Sequence, residues 1–110
     1  MKFSIRPLAR TDILNQYAYL IDQNVPHAAE RFIDAVIDTV EKITKTPNIG
    51  TPKKLRNPRL RGLRQWPVNG FEIIQIYYLV TQDALQVIRV LHGKRDRVRI
   101  LEGQTPEAVQ

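Results

Sequence analysis

Asn69-Gly70 separates two runs of strand-forming residues, 63–68 and 71–80. Both residues tolerate positive φ, which a two-residue hairpin turn demands, so the pair predicts two antiparallel strands joined by a tight turn. The second run carries apolar side chains on both faces. Phe71, Ile73, Tyr77 and Leu79 lie on one, and Ile74, Ile76, Tyr78 and Val80 on the other. Such a strand belongs in the interior of a sheet with both faces covered. Thr81-Gln82-Asp83-Ala84 then turns the chain into a third run, 85–91, again apolar on both faces and ended by Gly93.

The residues upstream supply covering material. Phe3 and Ile5 alternate with Lys2 and Ser4, the pattern of a short first strand, and Pro7 stops its pairing. A helix is predicted from about Ala9 to Asp22. Its stripe is Ile13, Leu14, Tyr17, Leu20 and Ile21, and its polar face carries Asp12, Asn15, Gln16 and Asp22. Asn24-Val25-Pro26 breaks the chain. Pro26 suits the first turn of a second helix, where a missing N–H costs nothing. That helix runs to about Lys45 with Ala29, Phe32, Ile33, Val36, Ile37, Val40 and Ile43 on one face. Lys42 and Lys45 in its last turn complement the helix dipole. Two amphipathic helices joined by a few residues make an antiparallel hairpin.

Between helices and strands, residues 46–61 read as an irregular loop, because Pro47, Gly50, Pro52 and Pro58 interrupt regular structure. The order β-α-α-β-β-β predicts an α+β domain, an antiparallel sheet with a two-helix hairpin packed on one face. Residues 1–101 are read as one domain and 102–110 as a polar C-terminal tail. A chain of 110 residues is long enough for one domain and short for two. It has no cysteine, so its fold rests on its core without disulfides or thiolate zinc sites, which suits a cytoplasmic location. No apolar run approaches the ~20 residues that span a bilayer, and residues 1–10 do not read as a secretory signal.

Charge is unevenly spread. Residues 1–50 hold 6 basic and 6 acidic side chains; residues 51–110 hold 11 and 5, which accounts for the whole net charge of +6. The asymmetry points to an anionic partner, nucleic acid or an acidic protein segment. Two clusters carry it: the loop cations Lys53, Lys54, Arg56, Arg59 and Arg61, and the end of the last strand, Arg89, His92, Lys94 and Arg95. The loop is either a phosphate-binding surface or a solvated one. Arg61 and Arg64 flank Gly62 and have Asp34 and Asp38 as alternative partners. Trp66, the single Trp, suits core or edge packing. His27 and His92 lack metal-ligand spacing, so no metal is expected, nor any other cofactor.

Several short segments, in this order and spacing, match a known family. They are Pro7-Leu8-Ala9 with Asp12-Ile13, Ala28-Ala29-Glu30-Arg31-Phe32, Pro47-Asn48-Ile49-Gly50, Arg61-Gly62-Leu63-Arg64, and Ile88-Arg89-Val90-Leu91-His92-Gly93-Lys94-Arg95-Asp96. Spanning residues 7–96, they resemble the ParE branch of the RelE/ParE toxins of bacterial toxin–antitoxin modules. The resemblance implies a toxin that is neutralised in a hetero-oligomer with a cognate antitoxin. It further implies inhibition of DNA gyrase, the ParE activity, or, as the alternative, ribosome-dependent mRNA cleavage of RelE type.

Metal-free RNA cleavage needs a base for the 2′-OH, an acid for the leaving oxygen and cations for the phosphorane. Were this chain a nuclease, Arg64, Arg89, Lys94 and Arg95 are the candidate cations, His92 the acid or base, and Glu72 a second group. No Tyr follows Tyr78, so the C-terminal tyrosine of RelE-type relatives is missing. The expectation is therefore a non-catalytic toxin, with Arg61, Arg64, Arg89, His92, Lys94, Arg95, Arg97 and Arg99 binding antitoxin or target.

Overall fold

The computed structural model describes residues 1–92. The expected tail boundary and Lys94, Arg95, Arg97 and Arg99 lie outside the described residues. The chain opens with strand β1 (Lys2–Ile5) and passes directly into helix α1 (Pro7–Asp22). The helix starts earlier than its apolar spacing suggests because Pro7 occupies its first turn. The link to helix α2 (Pro26–Lys45) is short. Asn24 adopts φ 61°, and the Val25 N–H donates to Leu20 O at 3.2 Å, so a left-handed residue closes the first helix.

The region expected to be irregular contains two single 3-10 turns, Pro47–Ile49 and Pro58–Leu60, and a short strand β2 (Thr51–Pro52). Pro opens each turn, where no backbone donor is needed, and Pro52 sits on an edge strand. Prolines thus shape this segment rather than leave it unstructured. Strands β3 (Arg64–Val68), β4 (Phe71–Val80) and β5 (Ala84–His92) follow. Gly70 at φ 80° turns the β3–β4 hairpin.

The five strands order as β1-β5-β4-β3-β2. The meander β3-β4-β5 is antiparallel as expected, while β1 joins β5 in parallel, Lys2 opposite Ala84 and Ile5 opposite Val87. The α+β architecture therefore stands, with a mixed sheet. Period-two alternation shows which residues are strand but carries no information on strand direction.

Both faces of β4 and β5 are covered. The helices bury one face with Phe32, Val36, Val40 and Ile43 against Ile74, Ile76, Tyr78, Leu85 and Val87. Phe32 meets Phe71 edge to face at 5.4 Å. On the other face, Leu60 and Leu63, with Leu55 beside them, cover Tyr77, Ile88 and Leu91. In α2 the predicted stripe is the buried one, except that Ile37 is exposed. In α1 the inward residues are Ala9 and Ile13, while Leu14 and Ile21 are exposed at 57% and 42%. Apolar residues occupy a broad arc of that helix, and only part of the arc meets the sheet.

Candidate binding surface

Arg89 heads a partly buried polar arrangement that links a helix to the sheet. The β4–β5 ladder pairs Tyr77 with Arg89 but Tyr78 with Val87, so Ile88 is an extra residue and the strand bulges. At this bulge Arg89 meets Asp12 of α1. Nε donates to Asp12 Oδ2 at 2.8 Å and Nη2 to Oδ1 at 2.9 Å, and the Val90 N–H donates to Oδ2 at 3.0 Å. The two side chains are 11% and 10% exposed. Asp12, expected on a solvated helix face, is instead an internal acceptor that ties α1 to β5 and satisfies the bulge. Arg89, expected at a binding surface, is occupied inside the fold by a two-pronged charge-assisted pair. Sequence spacing gives no hint of this, since the partners lie 77 positions apart.

Arg64 is also directed inward. Its Nη1 donates to Gly50 O at 2.6 Å and Asn48 O at 3.2 Å, rather than to Asp34 or Asp38. The same segment receives Tyr78, whose hydroxyl donates to Pro47 O at 2.8 Å and accepts from Gly50 N at 2.9 Å. A Cβ at position 50 would overlap that hydroxyl and come within 2.8 Å of Tyr78 Cε1, which explains glycine there. Burial raises the Tyr78 pKa above its ordinary value, against smaller lowering effects from the Gly50 N–H and Arg64. Residues 47–50 are therefore a docking point for the sheet.

His92 ends β5 opposite Ile74, half-buried, and its buried Nδ1 has no hydrogen-bond partner among the described residues. Arg64 stands opposite Tyr78, four residues along β4 from Ile74. The offset is about 13 Å along the strand and two strand spacings, about 10 Å, across the sheet. The described nuclease candidates are thus not brought together: Arg89 is paired internally, and Arg64 and His92 are apart. Glu72 Oε2 accepts from Gly70 N at 2.7 Å and serves the hairpin turn. Among the described residues no group of three or more His, Asp or Glu is placed to hold a metal.

Two of the surface hollows have charged residues in their walls. One, of about 390 Å³, lies between α2 and the β3–β4 hairpin and is lined by Asp38, Lys42, Trp66 and Glu72 among others. Trp66 is half-buried against the helix-side core with Lys42 Nζ 5.8 Å from its ring centroid. The other, about 230 Å³, is lined by Lys53, Lys54, Arg56 and Arg61 of the loop. Arg61 is exposed there and is the described site candidate most available to a partner.

The model of the ParE toxin of type II toxin–antitoxin systems, parDE, matches residues 3–97. The chain belongs to the ParE toxin family. The fold is shared with a solved chain of the chromosomal ParDE toxin–antitoxin system from P. aeruginosa, which superposes with a TM-score of 0.68 at 16% identity. The match covers 84% of this chain and 95% of that one. No curated protein sequence matches this ParE chain. No helix among its described residues is long and apolar enough to cross a membrane.

Proposed function

We propose that this ParE toxin acts by inhibiting DNA gyrase and is held inactive by a cognate antitoxin bound to it. Family membership over residues 3–97 carries the reading. The site geometry supports a binding role over RNA chemistry, because Arg89 is committed to Asp12 and His92 has no described acid–base partner. Arg61, His92 and the Lys94–Arg99 run are the side chains proposed for partner contact, while Arg64 and Arg89 are engaged within the fold. The complex with antitoxin is a hetero-oligomer.

The deciding experiment adds purified full-length protein to a gyrase supercoiling assay and, in parallel, to a translation reaction with mRNA mapping. Loss of supercoiling or accumulation of cleaved DNA is expected, with mRNA intact. Unaltered gyrase at excess toxin, together with codon-positioned mRNA cuts, would overturn the proposal in favour of the ribosome-dependent nuclease.

A further inference from the structure

The loop cations form a site of their own. No Asp or Glu occurs anywhere in residues 42–71, which hold eight Lys and Arg. Among them, Lys53, Lys54, Arg56 and Arg61 line one hollow that has no carboxylate in its wall. None of these four makes an ion pair with a described residue.

The backbone that carries them is fixed. The Lys53 N–H donates to Leu63 O at 2.8 Å and closes the base of the loop. Inside it, Asn57 Oδ1 accepts from Arg59 N at 3.0 Å and Asn57 O from Leu60 N at 3.0 Å. Leu60 and Leu63 are buried at 2% and 0% exposure on the helix-free face of the sheet. Four like charges are thus held together by apolar anchors, a repulsive arrangement that an anionic partner relieves.

We propose that this loop binds the phosphate backbone of double-stranded nucleic acid. Four cations dominate the wall, and its larger apolar side chains are Pro58 and Leu55, the latter half-buried against the sheet. An acidic peptide bound as a helix or strand takes apolar anchors beside its charges. Residues 53–64 contain no aromatic side chain, so the loop has no platform for stacking unpaired bases. Backbone contact without base readout is the chemistry that remains. The site shares Arg61 with the partner surface proposed above but not Lys53, Lys54 or Arg56, and duplex binding is read without gyrase or antitoxin present.

Fluorescence anisotropy of a labelled DNA duplex of about 20 base pairs with the full-length protein, titrated over salt, tests it. With four phosphates neutralised, log K should fall against log salt with a slope of about −3.6, an affinity loss of about 150-fold between about 50 and 200 mM salt. The variant with Lys53, Lys54, Arg56 and Arg61 all changed to Ala should lose most of that slope. A variant with exposed Lys2, Arg10 and Arg31 changed to Ala should keep it. Circular dichroism checks that both are folded. An unchanged slope in the loop variant, or an equal loss in the control variant, would overturn the site. Displacement of the duplex by polyglutamate at equal charge concentration would overturn nucleic acid as the partner and replace it with an acidic peptide.

Discussion

Asp12 and Arg89 show how a side chain that reads as functional becomes structural. Each supplies what the other and the bulged strand require, and removing one leaves a charge buried without a counter-ion. Asp12→Ala should cost about 3–5 kcal/mol in urea unfolding, whereas the double change Asp12→Leu with Arg89→Met should cost much less. A loss in the double variant equal to that in the single one would mean that the Val90 N–H contact, not the charge pair, holds the bulge. Tyr78 poses the same question for a neutral group. Tyr78→Phe strands the Gly50 N–H and Pro47 carbonyl and should cost about 2 kcal/mol. It should also alter the alkaline limb of the stability curve. Burial raises the Tyr78 pKa above 10.0 in the folded state. Below pH 10 both states keep the proton and stability is full. As pH rises from 10 towards the folded pKa, the unfolded chain ionises first and stability falls. The decline above pH 10 should therefore be shallower in Tyr78→Phe than in the parent, and equal slopes would locate the alkaline loss elsewhere.

At the scale of elements, legibility followed local signals. The hairpin at Asn69-Gly70, the doubly apolar β4 and β5, and the stripe of α2 were readable because turn chemistry and side-chain period act over a few residues. Gly70→Ala should accordingly cost about 1 kcal/mol, since its φ of 80° disfavours a Cβ although no atom stands in the way. A thermal midpoint equal to the parent's would show that the turn relaxes to another type. What escaped the sequence depends on distant partners. The parallel β1–β5 pairing joins residues some 80 positions apart, and the inward face of α1 is selected by strand β5, which it meets, leaving Leu14 and Ile21 outside. The packing of the loop is hidden for a similar reason. Leu55, Leu60 and Leu63 have no period, so their common burial under the sheet has no signature in the chain. The candidate site was legible only as a charge inventory. Arg61 is available, whereas Arg64 and Arg89 are consumed by backbone carbonyls and Asp12.

For the whole molecule, the net charge of +6 and the fold of a ParE toxin bear on a single equilibrium, that between free toxin and toxin held by antitoxin. A partner that binds only the folded chain must raise its stability. Free antitoxin at about 100 times its dissociation constant should add about 2.7 kcal/mol to unfolding. Where the attraction comes from the cations of the second half, that gain should shrink as salt is added, because exposed charges are screened within about 10 Å at 0.1 M ionic strength. Urea midpoints measured with and without the product of the neighbouring gene, at low and high salt, report both quantities. A gain that persists unchanged in high salt would assign the affinity to apolar burial, with the exposed Leu14 and Ile21 of α1 as the first residues to substitute. No gain at saturating antitoxin would mean that the partner does not recognise the folded toxin, and neutralisation by direct binding would fall with it.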